Sequence, residues 1–105
     1  MIYEGDILAY GEVEGVVKVV KDPKELLEFK EGSILVASQP TPLFNPFLFK
    51  SKAVIVEHGG MLCHAAIVSR ELGIPCIRVK GATKIFKDGQ KVRIDPEKEI
   101  VEVVE

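Results

Sequence analysis

A chain of 105 residues, 47% hydrophobic and 29% charged, is long enough to bury one core without disulfide or metal staples and too short for two. Its 16 acidic and 14 basic residues are mixed along the chain for a formal charge of −2, which leaves no basic stripe to neutralise a nucleic-acid backbone. No apolar run nears the roughly 20 residues of a membrane span, and the opening MIYEGDILAY lacks a basic segment followed by a long apolar one. A single soluble, cytoplasmic domain over residues 1–105 is therefore the expectation.

In chain order, GDILAYGEVEGVVKVV alternates and then turns β-branched, predicting one or two strands that end near Val20, with Gly11 and Gly15 placed as bends or bulges. KDPKELLEFKEG predicts a short helix: Asp22 stands as N-cap, Pro23 as first helical residue, Gly32 past the end, and Leu26, Leu27 and Phe29 form its apolar side. SILVAS (33–38) and AVIVE (53–57) read as buried strands. Three prolines between them allow only a turn or two of helix, starting at Pro46. Residues 64–72 are strong helix formers stopped by Gly73, and IPCIRV (74–79) follows as a strand. The rest reads as a closing β region with turns at Asp88-Gly89 and Asp95-Pro96. Alternating strands and helices with extra strands at both ends give an α/β fold with a mixed sheet, short helices and an antiparallel portion formed by the termini.

The chemistry concentrates in HGGMLCHAAIVS, residues 58–69. A strand ends, two glycines admit backbone angles closed to other residues, and a helix begins at Cys63 or His64. The first amides of a helix lack intrahelical partners and sit at its positive end, so an anion beside the imidazole would be stabilised. Imidazole ordinarily titrates at about 6.5, so near neutral pH it is largely the neutral nucleophile. His64 is thus placed to attack phosphorus and carry the group on the ring nitrogen remote from the backbone. The plain alternative is a solvent-facing histidine at a capped helix start.

Each neighbour also has two readings. Cys63 is a nucleophilic thiol activated at a helix terminus, or one that supports the phosphate or fills the cap region. Arg70 lies nearly two turns beyond His64 and either reaches a phosphate or serves the surface. Gly59 and Gly60 shape the backbone and offer amides to an anion. Thr41 is a cap or turn former, with a phosphate-facing role as its alternative. His58, Cys63, His64 and Cys76 invite a zinc reading, but they lack the paired spacing that sets ligand geometry, and no metal is expected. Without a secretion signal, Cys63 and Cys76 are expected as reduced thiols. PLFNPFLF crowds Phe44, Phe47, Phe49, Leu43 and Leu48 between prolines; they cover the sheet, or part of the segment is a docking surface that also allows a homo-oligomer. Abundant Lys and Glu beside a single Asn (Asn45) and two Gln (Gln39, Gln90) suit a protein from a hot environment, a thermophile.

GGMLCHAAIVSRELGIP closely resembles the signature of the mobile phosphohistidine domain of phosphoenolpyruvate-utilising enzymes: phosphoenolpyruvate synthase, pyruvate phosphate dikinase and enzyme I of the sugar phosphotransferase system. The resemblance runs back through EGSILVASQPTP and GEVEGVVKVVKDPKEL and forward through GATKIFKDGQKVRID, so it covers nearly the whole chain. It implies a three-layer swivelling β/β/α domain in which His64 matches the phosphorylated histidine. Gly59 and Gly60 match the glycine pair before it, Cys63 the small polar position beside it, Arg70 the arginine of the helix and Thr41 a threonine of the preceding segment.

In the full-length enzymes of the family this domain moves between a nucleotide-binding domain and a barrel where phosphoenolpyruvate is made or consumed. The chain departs from the pattern at Leu62, where the family usually has the threonine that some dikinases phosphorylate for regulation. It contains no glycine loop for a nucleotide, and three arginines cannot by themselves clamp an in-line transfer. The expectation is a phosphotransferase component that binds no cofactor of its own. Mg²⁺ would sit in a partner's active site, and nucleotide-binding or phosphoenolpyruvate-binding subunits would load and unload His64. The competing expectation is a non-catalytic ligand- or protein-binding module that keeps the swivelling fold.

Overall fold

A computed structural model describes residues 1–104. Eight strands run along the chain as β1 (Ile2–Glu4), β2 (Asp6–Ala9), β3 (Val13–Val19), β4 (Ile34–Ala37), β5 (Ala53–Val56), β6 (Cys76–Arg78), β7 (Lys91–Asp95) and β8 (Ile100–Val103). Three α-helices, α1 (Asn45–Lys50), α2 (His64–Leu72) and α3 (Ala82–Ile85), are joined by 3-10 helices at Pro23–Glu28 and Pro42–Phe44. No helix among the described residues is long and apolar enough to cross a membrane.

The strand order is β1-β8-β7-β3-β4-β5-β6-β2. Strands β3, β4, β5 and β6 are parallel, and β2 closes one edge antiparallel to β6. On the other side β3 changes partner along its length: Val13–Val16 pair antiparallel with β7, and Val17–Val19 pair parallel with β4. Strands β8 and β1 extend the antiparallel end.

Strands β4 and β5 are buried along their whole length, which is why they read as unbroken apolar runs rather than as alternation. Successive side chains still leave opposite faces. Leu35, Ala37, Val54 and Val56 join Phe47, Leu48, Ala65 and Ala66 on the face covered by α1 and α2. Ile34, Val36, Ala53 and Ile55 join Val92, Ile94 and Val101, so the antiparallel end folds back over the opposite face. The result is the α/β fold with a mixed sheet read from the element order, in the three-layer β/β/α arrangement that the resemblance implies.

Local expectations need several corrections. The short helix expected after Asp22 is a 3-10 helix with the expected cap: Asp22 accepts from the Lys24 amide and Glu25 accepts back from the Asp22 amide. At three residues per turn Leu26 and Phe29 share a side that packs inward, and Leu27 is turned out to 99% exposure. Gly15 makes no bulge; its register is regular, and a Cβ there would lie 2.9 Å from Lys52 Cδ. The irregular step is in β2, between Ile7 and Ala9. Asp88-Gly89 is a turn as expected, closed by the Gln90 amide on the Lys87 carbonyl with Gly89 at φ +90°, but it leads from α3 into β7 rather than between two strands, and Asp88 accepts from the Val19 amide and pairs with Lys18. Helix α3 was not foreseen, since four residues carry no readable period.

Candidate functional site

The loops that follow β4 and β5 emerge side by side at the carboxyl ends of parallel strands, where α/β sheets form their crevices. They are tied together at their roots, as the Glu57 and His58 amides both donate to the Ser38 carbonyl at 3.0 Å. The first loop leads through Thr41 into the Pro42–Phe44 turn and α1; the second leads through Gly59 and Gly60 into α2.

Gly59 has φ +126°, and a Cβ on it would stand 2.8 Å from Cys63 Sγ. It is therefore required by both backbone angle and space. Gly60 has neither constraint from the chain, and a Cβ there would meet nothing within 4 Å. Arg78, at the end of β6, donates to the Gly59 carbonyl at 2.8 Å and pairs with Asp6, which holds the loop from its outer side.

Arg70 holds the loop from the helix. One guanidinium nitrogen donates to the Leu8 carbonyl at 2.8 Å and another to the Met61 carbonyl, so the side chain bridges β2 and the loop that precedes His64. Thr41 caps the Pro42–Phe44 turn, its hydroxyl accepting from the Leu43 amide at 3.3 Å. Cys63 occupies the N-cap of α2 in extended backbone, and its side chain makes no capping bond. Among the described residues no side chain therefore caps the first-turn amides at the positive end of α2, two of which belong to the buried Ala65 and Ala66.

His64 is the first residue of α2 and is half-buried. Its Nε2 lies 2.7 Å from Oδ1 of Asn45, the first residue of α1. A carboxamide oxygen only accepts, so with Oδ1 facing the ring it is Nε2–H that donates. Sequence reasoning missed Asn45. The available signal was its chemistry, the one asparagine of the chain set in an apolar stretch at a Pro-marked helix start.

Glu57 was missed as well. Its carboxylate accepts from the Thr83 hydroxyl and, at 2.8 Å, from the Thr83 amide. The hydroxyl is the main reason that Glu57 stays below the ordinary carboxylate range despite its partial burial. An open cleft of about 450 Å³ beside the loop holds Arg78 and Lys80, but Glu4, Asp6 and Glu57 line it too, so it offers no net positive field.

Among the described residues no three His, Cys, Asp or Glu side chains gather as metal ligands would. Cys76 faces the sheet's helical side fully buried, and burial pushes its thiol up to about 12. Cys63 is part-exposed on the loop, and both thiols are free. The Phe44–Phe49 segment divides its side chains. Phe47 packs edge-on against Phe29 with ring centres 5.4 Å apart, and Leu48 is buried beside it, whereas Leu43 and Phe49 are 72% and 64% exposed.

The family model for "PEP-utilising enzyme, mobile domain" matches residues 29–99. A probable phosphoenolpyruvate synthase of Archaeoglobus fulgidus is 48% identical over 92 residues, 87% of this chain and 12% of that protein. The phosphoenolpyruvate synthase of Escherichia coli is 38% identical over 95 residues, 90% of this chain and 12% of that protein. The chain thus spans about an eighth of the length of these relatives. Among solved structures, an enzyme I protein is 27% identical with TM-score 0.62 over 75% of this chain and 33% of its own. The aconitase X of Thermococcus kodakaraensis, at 23% identity and TM-score 0.71 over 100% of this chain and 99% of its own, shares the fold.

Proposed function

The chain belongs to the mobile-domain family of phosphoenolpyruvate-utilising enzymes, and we propose that it serves such an enzyme as a phosphoryl carrier on His64. The observation that carries this reading is the placement of His64: a half-buried imidazole at the head of a helix whose first-turn amides no side chain caps. The relatives named phosphoenolpyruvate synthase support the substrate class.

In the loading step the lone pair of Nε2 bonds to phosphorus while the P–O bond to the donor breaks and leaves its electron pair on the departing oxygen. The proton that Nε2 holds in the empty state passes to Nδ1 through solvent before the attack. Unloading reverses the bond changes, with an oxygen of the acceptor as nucleophile. The α2 amides stabilise phosphoryl charge in both states. The nucleotide or phosphoenolpyruvate, with the Mg²⁺ that balances its charge, belongs to partner domains or subunits. Leu43, Met61 and Leu62, all exposed and within three residues of His64 or Asn45 along the chain, form an apolar rim suited to such a partner.

The test is to incubate the chain with phosphoenolpyruvate or ATP, Mg²⁺ and the nucleotide-binding or barrel domains of a related synthase. A phosphate that is acid-labile, base-stable and lost in His64→Ala is the expected product. No such phosphate, or one that survives His64→Ala, overturns the reading and leaves the non-catalytic binding module, which Leu62 at 84% exposure in place of a hydroxyl residue favours.

A further inference from the structure

The contact between His64 and Asn45 joins the first residues of two helices, 19 positions apart, through the ring nitrogen that would carry phosphorus. A carboxamide differs from every other side chain in presenting an acceptor and a two-proton donor at equivalent positions about one bond. Asn45 is half-buried where the Thr41-capped turn passes into α1, so its backbone is anchored.

We infer that Asn45 is a positioning residue that answers both states of His64 by turning its carboxamide over. In the empty state Oδ1 accepts from Nε2–H and holds the imidazole in the Nε2–H tautomer. In the loaded state phosphorus on Nε2 takes the place that Oδ1 holds, so the carboxamide swings off the ring axis as it turns and brings Nδ2–H to a phosphoryl oxygen. Asn45 thus has a partner in both states. An aspartate of the same shape serves the empty state but meets the loaded one with negative charge against negative charge.

The inference rests on the carrier reading for its biological meaning, but its test does not. Phosphoramidate phosphorylates histidine chemically without any partner protein. The native chain, Asn45→Ala and Asn45→Asp are each labelled with ¹⁵N-histidine, the tautomer of empty His64 is read by NMR, and the lifetime of phosphohistidine at residue 64 is followed by ³¹P NMR after loading.

The native chain is expected to show Nε2–H. Asn45→Asp should keep that tautomer yet shorten the phosphohistidine lifetime about tenfold, and Asn45→Ala should mix the tautomers and also shorten the lifetime. Thermal melts report whether α1 survives each change. An unchanged tautomer in Asn45→Ala overturns the acceptor half. A native lifetime in Asn45→Asp, or a His64 that phosphoramidate cannot load, overturns the donor half. If these results come out as expected while partner-driven loading fails, the carrier reading falls and the pairing of Asn45 with His64 stands.

Discussion

Gly59 and Cys63 are in contact across the turn that delivers His64: a Cβ on Gly59 would stand 2.8 Å from Cys63 Sγ, and φ at Gly59 is +126°. Gly59→Ala should therefore cost about 1–3 kcal/mol of stability in urea unfolding. Adding Cys63→Ala removes the sulfur but not the backbone strain, so the double variant should recover only part of the loss. Full recovery would mean that the clash, not φ, accounts for the glycine. Gly60→Ala, which meets nothing in the chain, should cost little stability; a loss confined to phosphoryl loading would place an approaching ligand or partner there.

Arg70 ties the Met61 carbonyl to the Leu8 carbonyl. Arg70→Ala leaves both acceptors unpaired and should lower stability by about 1–3 kcal/mol. Arg70→Lys should rescue little, because one ammonium cannot span two carbonyls in a fixed fork. Hydrogen exchange should quicken at residues 59–63 in both variants. An unchanged loop with impaired phosphate binding would assign Arg70 to the anion instead.

Glu57 is held below its ordinary value near 4.5, first by the Thr83 hydroxyl. A carboxylate depressed in the folded state contributes stability that is complete above its unfolded value and is lost as pH falls through its folded value. Thr83→Val, which keeps the amide and removes the hydroxyl, should be most destabilising near pH 7, and its deficit should narrow steadily below about pH 4.5. Melting curves from pH 3 to 7 measure this. A deficit independent of pH would assign Thr83 to packing.

Phe47 and Phe49 are two residues apart and face opposite ways, at 1% and 64% exposure. Phe47→Ala should cost about 3–5 kcal/mol by opening a cavity against Phe29. Phe49→Ala should stay within about 0.5 kcal/mol of the native chain. An equal loss at Phe49 in a concentration-dependent melt would reveal a second copy covering it.

Cys76 is fully buried with its thiol pushed up to about 12, whereas Cys63 is part-exposed. A disulfide reagent should modify Cys63 in the native chain and reach Cys76 only on unfolding. Reaction at Cys76 under native conditions would show opening of β6 from the sheet.

Much of the scaffold was legible because it is written in short intervals. The strands β4 and β5, the helix stop at Gly73, the Asp22 cap and the glycine-histidine turn each depend on residues within a few positions of one another. Where two structures share a short-range signature the sequence leaves both open: Asp22-Pro23 opens a 3-10 helix as readily as an α-helix, and the fold has the 3-10 form with Leu26 and Phe29 packed inward. In the same way Asp88-Gly89 makes the turn its composition predicts, but it joins α3 to β7, and its contact with Val19, 69 residues away, is not written locally.

The sequence by itself determined that this chain builds an α/β fold and that His64 stands at the head of a helix behind a glycine turn, since those features follow from local sterics and side-chain period, while the mobile-domain family followed from its resemblance to a known signature. The tertiary structure alone decided what His64 and its loop touch. Asn45 reaches Nε2 because β4 and β5 are parallel neighbours whose following helices lie on one face. Arg70 reaches Leu8 across 62 positions because β2 returns antiparallel to β6 beside α2. Such contacts depend on the order of strands in the sheet, which the burial of both faces selects and no short stretch of sequence encodes.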